Sequence, residues 1–306
     1  MIAKFEILYL AILAILELLK NKKYIYNTIV EDRNKVLVLV PLSNKYPSNQ
    51  ILNSIKKTWG NDNVFETIFY TGGFNANKLN VNYLELNISN DFKDFGKKTL
   101  LCFEEIIRYK DFDYVFRTNT SSYLNKIAFF EFITKQPYRN YYAGKIENFP
   151  NINLNFGSGA GYVLSRDLVE LVVDNNKLWN HDLNEDVALG KILYDLKVPL
   201  NPLERYDINS LKDLKNIDLD HYHYRFRIDK IGYPRILELI ILKIINYKIQ
   251  NKDKNIFFFN NLVIYVFMIL LTISKFLNVL YFIKKNEKLN YWYKKYISEK
   301  KPPWER

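Results

Sequence analysis

The feature that most constrains the fold is the alternation of short apolar runs with segments of helical spacing. Residues 36–40 read Val-Leu-Val-Leu-Val, and further strand-like runs lie at 64–70 and 114–116. Between these runs, residues 51–59 and 97–109 carry apolar side chains at the spacing of a helix. Strands that alternate with helices predict a parallel or mixed sheet covered by helices. We therefore expect a single α/β domain with a central, mostly parallel, twisted sheet.

Composition indicates a globular chain that does not need an oxidising compartment. Hydrophobic residues make up 48% of 306 positions, which suffices for a buried core. The single cysteine, Cys102, lies in an apolar helical stretch and cannot form an intramolecular disulfide. The formal net charge of +11 suits nucleic acid, anionic lipid or phosphate-bearing ligands, but no helix-turn-helix, RNA-recognition or zinc-finger pattern accompanies it. We expect a cytoplasmic active site and no nucleic-acid partner.

Much of the positive charge lies beside apolar segments near the two ends of the chain. The first segment, residues 7–19, is shorter than the roughly 20 residues that cross a bilayer, and it has no small-residue cleavage pattern. We expect an amphipathic helix there, lying on a membrane or packed on the domain, rather than a transmembrane span or a secretory signal peptide.

The C-terminal part of the chain carries several apolar segments followed by lysines and aromatic residues. Residues 236–245 have helical spacing, residues 256–274 are uncharged, and residues 291–296 read Tyr-Trp-Tyr-Lys-Lys-Tyr. These segments could form one tilted span, in-plane helices or a helical cap, and their aromatic and basic ends favour membrane association. The expected regions are a membrane-associated or amphipathic helix at 1–29, the α/β domain at 30–232, and a basic, helical, membrane-associated region at 233–306.

Polar residues follow the third strand-like run directly. Residues 117–122 read Arg-Thr-Asn-Thr-Ser-Ser, and we expect them beyond the carboxyl end of the strand at 114–116. Open α/β sheets bind ligands at that edge. An ordinary polar turn is the alternative, because Asn, Thr and Ser form local hydrogen bonds in turns.

A glycine-rich run and an acidic pair are further candidate parts of a site. Gly157, Gly159 and Gly161 allow close approach of the backbone to a ligand, although a tight connection between two strands would use them equally. The run does not follow the dinucleotide-binding arrangement of strand, glycine turn and helix, so no NAD site is predicted. Glu185 and Asp186 open a helix-like segment, where acidic side chains also suit the helix dipole.

A basic run at residues 221–227 reads His-Tyr-His-Tyr-Arg-Phe-Arg. In an extended chain, its imidazoles and guanidiniums share one face and could cradle a diphosphate. The His-x-His spacing could bind zinc, but no cysteine partner or helical His-Glu-x-x-His pattern accompanies it, so no metal centre is predicted. A solvated, basic strand edge is the alternative.

Four of these segments, in this order, resemble the inverting β-1,3-galactosyltransferase and Fringe-like glycosyltransferases. Residues 53–60 resemble the family's Arg-x-x-Ile-Arg-x-Thr-Trp-Gly segment, and residues 117–125 resemble its Lys-Thr-Asp-Asp-Asp block. Residues 156–166 are similar to its Ser-Gly-Gly-Gly-Tyr-Val-Leu-Ser segment, and residues 185–190 to its Glu-Asp-Val-x-x-Gly segment. The resemblance spans about residues 36–227 and implies a GT-A-like fold.

The resemblance implies an inverting hexosyltransferase. It would move a hexose or N-acetylhexosamine from a nucleotide sugar, expected to be a UDP-sugar, to a glycan or lipid-linked acceptor in surface-polysaccharide or glycoconjugate synthesis. Asp186 would be the catalytic base that takes the proton of the acceptor hydroxyl, and Glu185 would orient the acceptor or have a structural role. The candidate nucleotide-sugar-binding residues are Lys56, Trp59, Arg117, Thr118, Asn119, Ser121, Gly159, Gly161, His223, Arg225 and Arg227.

The chain departs from the family at the acidic triplet, which is replaced by Asn119, Thr120 and Ser121. Mg²⁺ and Mn²⁺ prefer carboxylate and phosphate oxygens. We therefore expect no preformed metal site and no required cofactor, with at most weak Mn²⁺ or Mg²⁺ binding through the donor diphosphate. We expect cationic side chains to supply the positive charge that a metal ion would bring to the donor diphosphate, because they donate directional hydrogen bonds to phosphate. These are Arg225 or Arg227, with Arg117 and Lys56.

Two other classes of protein fit part of the sequence. A catalytically degenerate glycosyltransferase-like protein would bind nucleotide or glycan without turnover, as loss of the triplet suggests, although the retained Asp186 argues against it. A basic protein that binds nucleic acid or anionic membranes is the second class. We expect a membrane-associated enzyme whose active site lies on the cytoplasmic side.

Overall fold

The computed structural model describes residues 35–43, 47–61, 64–227 and 235–252, which form eleven strands and seven α-helices. The strands are β1 (Val36–Pro41), β2 (Glu66–Thr71), β3 (Lys78–Leu79), β4 (Tyr83–Glu85), β5 (Tyr114–Thr118), β6 (Ser122–Leu124), β7 (Tyr142–Phe149), β8 (Leu154–Ser165), β9 (Leu200–Pro202), β10 (Tyr206–Ile208) and β11 (His223–Phe226). The helices are α1 (Ser48–Lys57), α2 (Phe95–Tyr109), α3 (Lys126–Ile133), α4 (Arg166–Asp174), α5 (Glu185–Asp195), α6 (Leu211–Lys215) and α7 (Glu238–Gln250).

The larger sheet is mixed and mostly parallel, with the strand order β3-β4-β2-β1-β5-β8-β7-β9. β1 runs parallel to β2 and β5, while β8 runs antiparallel to β5 and β7. Every residue of β1 is buried, because a central strand covered on both faces needs a continuous apolar run. The predicted fold class, an α/β domain with a large, mostly parallel central sheet flanked by helices, is confirmed.

A hydrophobic core fills the space between the sheet and three helices, α2, α4 and α5. Leu37 and Leu39 of β1 meet Phe103 and Ile106 of α2 in this core. Cys102 lies among them without solvent exposure, in the helical stretch predicted for it. The core therefore fixes the first turn of α5 relative to the carboxyl ends of β1 and β5.

The smaller sheet has the order β10-β11-β6. β11 lies in its centre, parallel to β10 and antiparallel to β6. The predicted extended run is thus present at His223–Phe226, but the alternative of a solvated strand edge is wrong. Paired on both sides, β11 buries His223, Tyr224 and Phe226.

Two details of the sheet differ from the sequence prediction. β5 continues to Thr118, so Arg117 and Thr118 lie within the sheet and not beyond its end. The reason is the antiparallel pairing with β8, which extends as far as Thr118 opposite Gly161. The glycine-rich run is not a connection between strands, because it lies inside the 12-residue strand β8.

Helix α7 corresponds to the helix predicted at 236–245 and forms a cap on the α/β domain. Its apolar side chains, including Ile240 and Ile245, are buried, and it packs against α1 and β6. Ser54 Oγ donates to Leu239 O at 3.1 Å, and Tyr123 OH to Asn246 Oδ1 at 2.9 Å.

Within the described ranges, every helix is too short or too polar to cross a bilayer. The helix predicted at 1–29 and the predicted segments after residue 252 lie outside the described residues.

Candidate active site

A buried ion pair joins the carboxyl end of β5 to the first turn of α5. Arg117 Nη2 lies 2.9 Å from Glu185 Oε2, with side chains 2% and 3% exposed. Tyr162 OH donates to Glu185 Oε1 at 2.5 Å, and Arg117 Nη1 donates to Gly159 O. The Arg117 guanidinium also lies over the Phe95 ring, 5.0 Å from its centroid. The structure thus places both predicted site residues, Arg117 and Glu185, in the interior beneath the edge of the sheet.

Burial and the opposite charge act against each other in this pair. Burial raises the pKa of the Glu185 carboxyl, and the Arg117 guanidinium opposes that rise. Burial alone would lower the pKa of Arg117, but the negative charge of the Glu185 carboxylate raises the Arg117 pKa above its ordinary value. The Arg117 guanidinium and the hydrogen bond from Tyr162 favour the ionised form of Glu185, against the burial that favours its neutral form.

Asp186, the next residue, is partly exposed. Its Oδ2 accepts a hydrogen bond from Gly159 N at 2.7 Å, and its Oδ1 accepts one from Val187 N at 3.1 Å. Both acidic residues lie in the first turn of α5, where the helix dipole favours negative charge. Asp186 therefore offers a fixed carboxylate with access to solvent.

The glycines of β8 make room for the side chains that pack against them. A Cβ at Gly159 would lie 2.8 Å from Asp186 Oδ2, and a Cβ at Gly161 would lie 2.2 Å from His223 Cε1. Only a residue without a side chain lets β8 approach α5 and β11 this closely. These predicted site residues therefore shape the space around Asp186 and His223.

The polar loop after β5 is held by its own side chains. Asn119 Oδ1 accepts hydrogen bonds from Ser121 N at 3.0 Å and Ser122 Oγ at 3.1 Å. Thr118 Oγ1 donates to Ala160 O at 2.8 Å. Trp59, which is 2% exposed, donates its indole N–H to Ser122 O at 3.1 Å. Thr118, Asn119 and Trp59 thus hold the loop in place.

Arg235, just before α7, contacts this loop and was missed in the sequence analysis. Its Nη2 donates to Thr120 Oγ1, Ser121 Oγ and Glu238 Oε2, each at 3.1 Å, and its Nε donates to Glu238 Oε1 at 3.2 Å. Ser121 Oγ donates in turn to Glu238 Oε2 at 3.0 Å. Glu238 is fully buried, whereas the Arg235 side chain is 37% exposed. The only local signal in the sequence is the Arg-x-x-Glu spacing of an ion pair on a helix.

The loop does not fit the divalent cation that the family resemblance implies. The hydroxyl oxygens of Thr120 and Ser121 already accept from Arg235, and Asn119 Oδ1 already accepts two hydrogen bonds. A guanidinium within hydrogen-bonding distance of these oxygens would repel a metal ion. Among the described residues, no three His, Cys, Asp or Glu side chains converge on one position.

His223 is enclosed and neutral. Its ring meets Phe116 edge-on at 5.2 Å between centroids, and its Nε2 lies 3.4 Å from Ser122 Oγ. Burial, with a contribution from Arg205, lowers the pKa of His223 well below its usual value. The imidazole therefore brings no positive charge to the edge of the sheet.

The two arginines of the basic run are partly exposed. Burial and the nearby Arg205 lower the pKa of Arg225, while Asp207 opposes this change. Arg205 itself donates to Asp207 Oδ1 at 2.6 Å and to Ser158 Oγ at 3.0 Å. Arg225 thus belongs to a cluster of charged side chains built around Arg205, and Arg227 lies close enough to contribute to the lowered pKa of Arg225.

Two lysines of helices α1 and α2 make contacts with buried parts of the domain. Lys56 of α1 is partly exposed and places its ammonium 5.5 Å from the centroid of the Phe69 ring. Lys98 of α2, which the sequence analysis did not single out, is 2% exposed and donates to Leu42 O at 3.1 Å and Asn90 Oδ1 at 2.8 Å. Burial, with a contribution from Arg117, lowers the pKa of Lys98 to about 8.

Two glycosyltransferases are among the solved structures to which the chain is similar. One is a glycosyltransferase involved in the glycosylation of the major capsid of PBCV-1, with 11% identity, a TM-score of 0.43, and coverage of 69% of this chain and 99% of that chain. Another is the mannosyltransferase PcManGT from Pyrobaculum calidifontis in complex with GDP-Man and Mn²⁺, with 12% identity, a TM-score of 0.35, and coverage of 95% and 91%. No family model and no curated protein matches the chain. At these TM-scores the function has to be argued from the chain's own residues.

Proposed function

We propose that the protein is an inverting glycosyltransferase. It moves a hexose or N-acetylhexosamine from a nucleotide sugar, taken to be a UDP-sugar, to a hydroxyl of a glycan or lipid-linked acceptor. The observation that carries the proposal is the placement of Asp186, a partly exposed carboxylate held by Gly159 N at 2.7 Å beside the carboxyl end of β5. The four sequence segments that resemble this class of enzyme support the same assignment.

In the proposed reaction, Asp186 accepts the proton of the acceptor hydroxyl. The hydroxyl oxygen forms a bond to the anomeric carbon as the bond from that carbon to the diphosphate oxygen breaks, and the nucleoside diphosphate leaves with the electron pair. Attack opposite the leaving group inverts the anomeric configuration. A carboxylate that solvent can reach is suited to an acceptor that arrives from outside.

Arg117 and Glu185 act as positioning residues in this mechanism. Arg117 holds both the Glu185 carboxylate and Gly159 O, while Gly159 N holds Asp186. Because Glu185 and Asp186 are consecutive, these contacts close a ring through the backbone of α5. The ring fixes the direction of the Asp186 carboxylate without placing Arg117 or Glu185 in contact with substrate.

The first test is transfer and donor hydrolysis against a panel of nucleotide sugars, with EDTA and with added Mn²⁺. Asp186→Asn should lower turnover by roughly 100-fold to 10,000-fold, since general-base catalysis contributes about that much. Asp182→Asn, which changes an exposed aspartate before the same helix, is the matched control and should keep wild-type turnover. Near wild-type activity of folded Asp186→Asn would refute the assignment of the base.

A second candidate function is nucleotide or glycan binding without turnover, which the replaced triplet favours. Binding of a nucleotide sugar by a wild-type protein that neither transfers nor hydrolyses it, with or without Mn²⁺, would support this candidate.

The proposed enzyme is membrane-associated through its basic, apolar ends, with the active site on the cytoplasmic side and a role in surface-polysaccharide or glycoconjugate synthesis. The lysines beside the apolar segments at both ends support membrane association.

A further inference from the structure

The loop at the carboxyl end of β5 offers its hydroxyl groups to a guanidinium. We propose that Arg235 binds the diphosphate of the donor and supplies positive charge at the leaving group in place of a divalent cation. This inference rests on the proposed glycosyltransferase function and identifies a donor-binding residue within it.

The hydrogen bonds of Arg235 leave one side of its guanidinium for a ligand. The contacts to Thr120, Ser121 and Glu238 use Nε and Nη2. A guanidinium has five N–H donors, and no described residue receives a hydrogen bond from the two on Nη1. The side chain is 37% exposed, so an anion can reach it.

The surroundings hold Arg235 in one geometry. Buried Glu238 takes two of its hydrogen bonds, and Ser121 is fixed because its hydroxyl donates to Glu238 while accepting from Arg235. A fixed guanidinium donates directional, charge-assisted hydrogen bonds to phosphate oxygens and loses little side-chain entropy on binding. Such donors stabilise negative charge that develops on a leaving group.

The same loop connects Arg235 to the proposed base. Thr118 Oγ1, before the triplet, donates to Ala160 O at 2.8 Å, and Ser122 Oγ, after the triplet, lies 3.3 Å from the same oxygen. The preceding residue of β8, Gly159, holds Asp186. Asp186 is thus held by Gly159, and the loop that Arg235 contacts is held by the next residue, Ala160. A reaction between an acceptor and a donor requires the proposed base and the proposed diphosphate-binding residue to lie at the same edge of the sheet.

The competing role for Arg235 is purely structural, as the partner of Glu238 at the start of α7. Removal of Arg235 alone would take the guanidinium away from the buried Glu238 charge and could unfold the chain. The variant for the test is therefore Arg235→Ala with Glu238→Gln, which removes both charges. Glu238→Gln alone is the matched control, because it retains the guanidinium.

The experiment is isothermal titration of the full chain in EDTA with UDP and GDP, and with uridine and guanosine as diphosphate-free probes. The double variant should bind the preferred diphosphate at least about tenfold more weakly, the scale of one charge-assisted hydrogen bond, with nucleoside binding unchanged. Glu238→Gln, which retains the guanidinium, should bind the diphosphate more tightly than the double variant. Thermal melting checks that each variant is folded.

The other outcomes separate the two proposals. Equal diphosphate affinity in the wild type and the double variant overturns the role of Arg235 and leaves the glycosyltransferase proposal standing. Equal weakening for nucleoside and diphosphate assigns Arg235 a structural role and overturns the inference. Added Mn²⁺ that tightens wild-type binding about tenfold or more also overturns it. A wild type that transfers no sugar and binds no nucleoside diphosphate overturns both.

Discussion

At the residue scale, two adjacent carboxylates have different surroundings, which supports different proposed roles for them. Glu185 is buried against Arg117 and Tyr162, whereas Asp186 is partly exposed and held by a backbone N–H. Glu185, with both oxygens engaged, fits a positioning role, whereas Asp186, which solvent can reach, fits proton transfer from an acceptor. The order of these two residues in the sequence carries no sign of this difference, because burial depends on β5 and β8.

Glu185→Gln should lower the free energy of unfolding by about 3 kcal/mol, because it leaves the Arg117 charge buried without a counter-ion. Asp195→Asn is the matched control, since Asp195 pairs with Lys191 at 2.7 Å with side chains 44% and 41% exposed. Exposed pairs contribute less than about 1 kcal/mol, so the control should change little. Urea unfolding measures both, and equal losses would contradict a larger contribution from the buried pair than from the exposed one.

At the scale of elements, β8 is the strand that organises the candidate site. Its glycines bring it close to Asp186 of α5 on one side and to His223 of β11 on the other. The two neighbours differ in the space around them, because the Asp186 side chain is partly exposed and the His223 ring is buried. The same substitution at the two positions should therefore have different effects.

Gly161→Ala should cost about 1–3 kcal/mol of stability, since the new methyl group overpacks a site where the His223 ring cannot move away. Gly159→Ala should change stability by less than about 1 kcal/mol but lower the transfer rate about tenfold or more, because it displaces the base and misplaced groups react slowly. Urea unfolding and initial-rate assays measure the two effects. A Gly159→Ala enzyme with wild-type turnover would contradict this view of β8.

Sequence patterns predicted most of the elements but few of the contacts that build the site. The period of apolar residues in β1 and α2 is a local property, so both elements were predictable. The extension of β5 to Thr118 depends on its pairing with Gly161, and the burial of His223 depends on the missing side chain of that glycine. Arg235 contacts Ser121 across 114 residues of sequence, a distance at which no local pattern gives information.

At the scale of the whole molecule, the net positive charge of the chain suits an anionic partner. Of the cations near the candidate site, Arg117, Lys98 and Arg235 have partners within the domain. The proposed donor site therefore does not account for the formal net charge of +11, and basic residues also lie beside the apolar segments near the ends. Anionic lipid would attract these residues at about 1 kcal/mol for each lysine near the surface.

We predict that the full chain floats with vesicles of phosphatidylserine and phosphatidylcholine. Three charge reversals near the C-terminus should weaken this binding about a hundredfold, because each lost lysine removes about 1 kcal/mol of binding free energy. The reversed residues are Lys284, Lys285 and Lys294. A matched control reverses three exposed lysines of the domain, Lys135, Lys177 and Lys212. Each triple variant changes the net charge equally, from +11 to +5, because each Lys→Glu change subtracts two charges. If the control loses as much binding as the C-terminal variant, the membrane responds to net charge alone. If instead the wild type stays unbound, the proposed membrane association is wrong.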